Sequence, residues 1–324
     1  MPIVSAPHAL VDSDVYVDLR PHLGRDIYLK CEGFNFGGSA KMRVAAAMVA
    51  AAERDGSLRP DTVLVESSSG NLGLALSIVA ANKGVAFTCV TDRRCNATTM
   101  QAMIALGTDV IVIEEPDPVD GLLGARKARV QQLCRRDPRF LWLNQYENPA
   151  NWMAHYEGTA PAIAKRFPAL DALFIGAGTC GTLMGCARYF KENAVAPRIV
   201  AVDVIGSANL GGKTGPRMIP GLGSTVPARA LDLSLVDETV QVSEEDTIRI
   251  CRALAATGFL FGGSTGTVLG GALRWLDRHD TDRSLRSVVI APDLGDRYMD
   301  TVYNDDWVLE NFGPRAVQAA AWPE

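Results

Sequence analysis

Short apolar runs alternate with helical stretches along most of the chain, and this alternation limits the possible folds more than any other feature. Residues 27–31, 62–66, 86–90, 109–113 and 141–143 read as strands, because they are short, rich in β-branched or aromatic residues and bounded by turn residues. Between them, 41–54 is rich in alanine and closes at Asp55-Gly56, 72–83 ends at Gly84, and 98–106 and 121–136 carry helical patterns. Strands that recur at this spacing, with a helix in each crossover, pair in parallel. The pattern pauses at the polar, proline-containing stretch 144–149, which separates two domains. It resumes with a helix over 155–166, a strand at 172–175, a helix to Glu192 and a strand at 198–202. A helix over 244–257, another opening at 262–266 and a strand at 287–291 close the chain. Residues 1–26 are expected to run as an extended arm. Residues 205–227, with six glycines and three prolines, are expected to form a long loop ordered by ligand. The fold class expected is α/β: two doubly wound domains with parallel sheets and a cleft between them.

Composition narrows the partners. A chain of 324 residues, 48% hydrophobic and 21% charged, has enough apolar material for two cores. A net charge of −5 gives no basic excess to attract nucleic acid or an anionic membrane. No apolar run reaches membrane-spanning length and no basic segment precedes an apolar one, so neither anchor nor signal peptide is expected. The seven cysteines form no C-x-x-C pair, which fits free thiols in a reducing cytoplasm. The four histidines lie far apart, and no metal site is expected.

Three loops rich in Gly, Ser or Thr precede helices: 67–71, 176–182 and 262–266. Each is either a simple helix cap or an anion site built from unpaired N–H groups and the helix dipole. A fourth helix opens with Lys41 after Gly37-Gly38-Ser39-Ala40. Taken alone, Lys41 fits a solvated helix residue. At a helix start, however, the dipole and any burial both disfavour an ammonium, and a neutral amine forms a Schiff base with an aldehyde cofactor. Arg43 faces elsewhere on that helix and is expected to pair with an acid. The segment Gly176-Ala177-Gly178-Thr179-Cys180-Gly181 also matches G-x-G-x-x-G, with Asp203 near the position of a ribose-binding acid, so a nicotinamide dehydrogenase is a rival. That rival leaves Lys41 and the 67–71 loop without roles. A phosphate cup explains the same residues and also uses the hydroxyls of Thr179 and Thr182.

Over residues 5–312 these motifs, in this order, resemble the cysteine synthase/cystathionine β-synthase family of pyridoxal-phosphate enzymes, fold type II. The resemblance implies pyridoxal 5′-phosphate (PLP) as cofactor and Lys41 as its Schiff-base and catalytic lysine. It places Asn71 on the cofactor's ring oxygen, Gly178, Thr179, Cys180, Gly181 and Thr182 around the phosphate, and Ser264 opposite the pyridine nitrogen. Ser67, Ser68, Ser69 and Gly70 would grip the substrate carboxylate. Gln145 and the mobile glycine Gly221 would complete the substrate site. The implied division is a large domain of residues 1–36 and 147–324 and a small mobile domain of 37–146, assembled as a homodimer. Four positions depart from the family pattern: Met42 replaces an acid, Ser68 and Leu72 replace threonines, and Cys180 replaces a glycine.

The segments 32–35, 216–221 and 293–307 resemble most a branch making 2,3-diaminopropionate precursors for siderophores or antibiotics. That branch implies β-replacement through an α-aminoacrylate, with O-phospho-L-serine and L-glutamate as substrates. Such anions call for cations, and Arg217, Arg297, Lys213 and Arg43 are the candidates. A cysteine synthase using sulfide, and a non-catalytic relative kept as a binding partner, are the alternatives.

Overall fold

In the computed structural model, residues 3–11, 14–193, 197–317 and 322 are described. The chain opens with β1 (Tyr16–Asp18), α1 (Arg20–Leu23) and β2 (Ile27–Cys31). Then follow α2 (Lys41–Arg54), β3 (Val63–Ser67), α3 (Asn71–Lys83), β4 (Ala86–Asp92), α4 (Ala97–Ala105) and β5 (Asp109–Ile113). Next come α5 (Gly121–Arg136), β6 (Phe140–Trp142), α6 (Ala150–Ala154), a π-helical turn (His155–Thr159) and α7 (Ala160–Arg166). The remainder is β7 (Ala172–Gly176), α8 (Gly181–Glu192), β8 (Arg198–Val204), β9 (Glu238–Val242), α9 (Glu244–Ala256), α10 (Gly263–His279), β10 (Ser287–Ala291), α11 (Asp305–Phe312) and α12 (Pro314–Val317).

The chain divides into two α/β units. Among the described residues, unit 1 takes 3–11 and 35–154, and unit 2 takes 14–34 and 155–317 with 322. Unit 1 carries a wholly parallel sheet in the order β5-β4-β3-β6. Its central strand β3 is buried on both sides, as a parallel strand covered by helices must be. One core joins Met42, Val44, Met48 and Val49 of α2 to Leu72, Ala75, Leu76 and Val79 of α3. A second packs Val130 of α5 against Val65 and Val90. Each such fully buried side chain contributes about 2 kcal/mol relative to exposure.

Unit 2 carries a six-stranded sheet in the order β1-β2-β10-β7-β8-β9. All of its pairs are parallel except β1 with β2. The α10 helix is buried from Gly263 to Leu273 and again at Trp275 and Leu276, and it fills the core with Val268, Leu269 and Ala272. Helix starts follow the expected chemistry: Asn96, Ser243 and Asn304 accept N–H bonds from the first turns of α4, α9 and α11. Among the described residues no helix is long and apolar enough to cross a membrane.

The expected α/β class with parallel sheets is present, with several differences in detail. The expected extended arm contains β1, α1 and a 3-10 turn at Pro7–Ala9, because β1 satisfies its backbone by antiparallel pairing with β2. The helix expected over 155–166 opens as a π turn before it becomes α7. Strand β9 and helices α11 and α12 are additions. Residues 3–11 group with residues 35–154 in the smaller unit.

Candidate active site

Lys41 is the first residue of α2 and is half-buried. Asn35 shapes the turn before it, accepting the Gly37 N–H on Oδ1 at 2.9 Å and donating from Nδ2 to the Ser39 carbonyl at 3.0 Å. Gly38 takes the left-handed conformation that this turn requires, with φ 60°. No side chain caps α2. The residues after the lysine turn inward. Met42 is fully buried in the core of unit 1, which accounts for the absent acid: the side chain at this position serves packing. Arg43 donates to the Val11 carbonyl at 2.8 Å.

The 67–71 loop, also in unit 1, is held from behind. Ser67 is fully buried, and its carbonyl accepts from Gln145 Nε2 and from the Tyr146 hydroxyl, each at 3.0 Å. Ser68 Oγ accepts the Gly73 N–H at 2.9 Å and so caps α3. The polar groups of Ser68 and Gln145 therefore shape the loop itself. Ser69, Gly70 and Asn71 are its half-exposed members. Beneath it lies Glu66, a residue the sequence reading missed. The carboxylate accepts from Trp142 Nε1 at 3.0 Å, Ser67 N at 2.8 Å and Gln145 N at 3.1 Å. Burial pushes its pKa up to about 7. A glutamate ending an otherwise apolar strand run was the available signal.

In unit 2 the 176–182 loop leads from β7 into α8. The N-cap residue of α8, Cys180, makes no side-chain bond to the first turn, whose N–H groups and positive dipole end suit an anion. Cys180 stands at the N-cap with φ 63° and ψ 11°, a left-handed conformation that suits glycine and strains other residues. Asn209, also missed, holds the loop from behind: Nδ2 donates to the carbonyls of Ala177 at 3.0 Å and Gly178 at 2.9 Å. The signal was a single amide side chain within a glycine-rich segment. Asp203, the candidate ribose acid, is fully buried at the end of β8, and burial raises its pKa to about 6. A carboxylate so enclosed cannot reach a ribose hydroxyl, so the dinucleotide reading loses its second element.

Ser264 sits in the first turn of α10, buried, in a cluster that sequence did not reveal. Tyr298 has Ser264 among its hydrogen-bond partners and donates to Asp293 Oδ2 at 2.6 Å. Burial, with the Asp293 carboxylate beside it, pushes the Tyr298 phenol well above its ordinary range. Gly221 passes against this group with φ 114°, and a Cβ there would lie 2.3 Å from Ser264 Oγ. Only glycine fits.

The candidate cations have different placements. Arg217 donates to the carbonyls of Gly206 at 2.6 Å and Ser224 at 3.2 Å, which braces the 205–227 loop. Arg297 is half-buried on the 3-10 turn Gly295–Tyr298, and Lys213 is exposed.

Comparison with known proteins identifies the family. The family described as pyridoxal-phosphate dependent enzyme matches residues 16–293. An N-(2-amino-2-carboxyethyl)-L-glutamate synthase from Ralstonia nicotianae is 37% identical over 294 residues, covering 90% of this chain and 86% of that protein. Another protein of that name, from Cupriavidus metallidurans, is 34% identical over 307 residues, covering 93% and 90%. Among solved structures, a hydrogen sulfide-producing enzyme from Fusobacterium nucleatum superposes with a TM-score of 0.85 at 30% identity, over 91% of this chain and all of that one. An O-ureido-L-serine synthase superposes with a TM-score of 0.85 at 29% identity, over 96% of each chain.

Proposed function

The chain belongs to the pyridoxal-phosphate-dependent enzyme family, and on that premise we propose that it catalyses β-replacement on O-phospho-L-serine with L-glutamate as the amine. The product is N-(2-amino-2-carboxyethyl)-L-glutamate, a precursor of 2,3-diaminopropionate. The observation that carries this reading is the 37% identity to a synthase of that name over 90% of the chain.

The residues fit the cofactor. The start of α8, preceded by the Ala177 and Gly178 carbonyls that Asn209 holds, is a cradle for a phosphate dianion, and Lys41 offers an amine at the start of α2. When bound, PLP supplies an electron sink for negative charge at the substrate α-carbon. Lys41 Nζ holds the cofactor and then carries the α-proton off and back. Gly178, Thr179, Cys180, Gly181 and Thr182 bind the phosphate, and Asn71 binds the ring oxygen. Ser264 would meet the ring nitrogen with a hydroxyl rather than an acid, a partner that would not protonate it and would suit loss of a β-substituent. Ser69 and Gly70 take the substrate carboxylate through N–H and hydroxyl donors, while Ser67, Ser68 and Gln145 hold them in place. Arg297 and Lys213 supply charge for the phosphate leaving group and the glutamate carboxylates. Arg217 acts one step back, by fixing the loop. The seven free thiols fit a reducing compartment, and we place the enzyme in the cytoplasm.

The test is to supply PLP-loaded protein with O-phospho-L-serine and either L-glutamate or sulfide, and to identify products by mass spectrometry. The glutamate adduct is expected. Cysteine from sulfide with no glutamate adduct overturns the reading in favour of a cysteine synthase.

A further inference from the structure

A line of buried polar groups runs from the 176–182 loop into the interior of unit 2. Thr182 Oγ1 lies 3.1 Å from His155 Nε2, and His155 Nδ1 lies 2.9 Å from Thr159 Oγ1. Thr159 Oγ1 donates to Glu32 Oε1 at 3.2 Å, and Lys30 Nζ stands 3.5 Å from the same oxygen. His155, Thr159, Glu32 and Lys30 are all at most 3% exposed. His155 and Thr159 are the two ends of the π-helical turn, a feature rare in helices and frequent at functional sites.

Counting protons fixes the directions. Glu32, paired with Lys30, only accepts, so the one Thr159 proton goes to it. Thr159 then offers His155 nothing but lone pairs, so Nδ1 carries a proton. Two states remain for Nε2. In neutral His155 it is an acceptor, Thr182 donates inward, and the Thr182 hydroxyl turns only its lone pairs to the front of α8. In the imidazolium it donates to Thr182, whose own proton is released for an acceptor outside. An anion in front of α8 is stabilised by the second state and repelled by the first.

We propose that His155 is a proton-linked positioning residue: an anion bound at the 178–182 loop draws one proton from solvent onto His155 Nε2, and Thr182 thereby becomes a donor to that anion. This rests on the reading of 178–182 as the phosphate site. Glu32, just after β2 and reached through Thr159, and Lys30 of β2 behind it are the charged groups on that side of His155. On its own turn Tyr156 and Glu157 point elsewhere: the Tyr156 hydroxyl donates to Glu192, and Glu157 is exposed. On α8 the charged side chains Arg188, Lys191 and Glu192 lie beyond the first turn, and on α7 Lys165 and Arg166 stand in the last turn. The thiols of the loop and α8 are Cys180 and Cys186, both buried.

The test is 15N NMR of the four histidines in the labelled full chain, with and without PLP at pH 8, the signals being assigned by replacing His8, His22 and His279 in turn. Without PLP, His155 is expected as the neutral Nδ1–H form, and with PLP as the doubly protonated ring. Pyridoxine 5′-phosphate, which cannot join a lysine, is the second probe. Its dissociation constant should rise about tenfold per pH unit above the free His155 pKa, and His155→Gln should abolish that slope. An unchanged His155 protonation state on PLP binding overturns the proposal. A Thr182→Val variant separates the two levels. If it leaves both the affinity for pyridoxine 5′-phosphate and the 31P shift of the bound probe unchanged, the phosphate site itself is misplaced. If it weakens binding while His155 never titrates with the ligand, the phosphate site stands and the proton linkage fails.

Discussion

Glu66 Oε1 accepts the Trp142 indole N–H at 3.0 Å, so β3 and β6 of unit 1 are joined by a carboxylate with no solvent exposure. The same carboxylate orients the 67–71 loop through Ser67 N–H and Gln145 N–H. Its pKa is pushed to about 7, first by burial, against the opposing pull of its three donors and Arg126. A carboxyl whose folded pKa exceeds its unfolded value stabilises the fold at low pH, and that stability is lost as pH rises through the folded pKa. Asp203 in unit 2, raised to about 6, adds in the same direction. Denaturant unfolding should therefore show stability falling between pH 5 and pH 8, with roughly 3 kcal/mol of the fall due to Glu66. Glu66→Gln should flatten its share of that slope while losing about 1–3 kcal/mol at pH 5, where an amide N–H meets the donors. An unaltered slope in Glu66→Gln would contradict this account of the residue.

The Asn209 side chain makes three hydrogen bonds, two to the carbonyls of Ala177 and Gly178 in the 176–182 loop and one from Ala228 N–H at 2.9 Å. Asn209→Ala should destabilise by about 2–4 kcal/mol, since buried partners are left unpaired. It should also weaken PLP binding about tenfold, because the loop's N–H groups lose their orientation. Asn209→Asp should be worse, as it aims a carboxylate at two carbonyls. Thermal melts and absorbance titration with PLP measure both effects.

Cys180 adopts a left-handed conformation at the α8 N-cap. Cys180→Gly should raise stability by about 0.5–1 kcal/mol, the relief of strain exceeding the entropy that glycine adds to the unfolded chain. Cys180→Val should lower it by more than 1 kcal/mol, because a β-branched residue is more strained there. Calorimetry of the two variants checks the order.

Much of this was legible in sequence because buried parallel strands are short apolar runs and the loops between them are written in Gly and Ser. Lys41, the α8 loop and Ser264 all fall at helix starts, where sequence signals are strongest. The edge strands of unit 2 were harder. β1 has three residues, and β9, Glu238-Thr239-Val240-Gln241-Val242, alternates like an exposed segment because only one neighbour covers it. The supporting residues were hidden for a different reason. Glu66 meets Gln145 across 79 positions, and Asn209 meets Ala177 across 32, so their roles exist only once the chain has folded. Ser68, Gln145 and Arg217 carried the right motifs for ligand contact, yet they spend polar atoms on their own loops.

The central claim is that Lys41 carries the cofactor. Borohydride fixes lysine-bound PLP as a stable secondary amine, and peptide mapping by mass spectrometry then locates it. The account predicts a phosphopyridoxyl group on the peptide containing Lys41, and none in Lys41→Ala. A label on another lysine, or PLP bound with no lysine labelled, would contradict it.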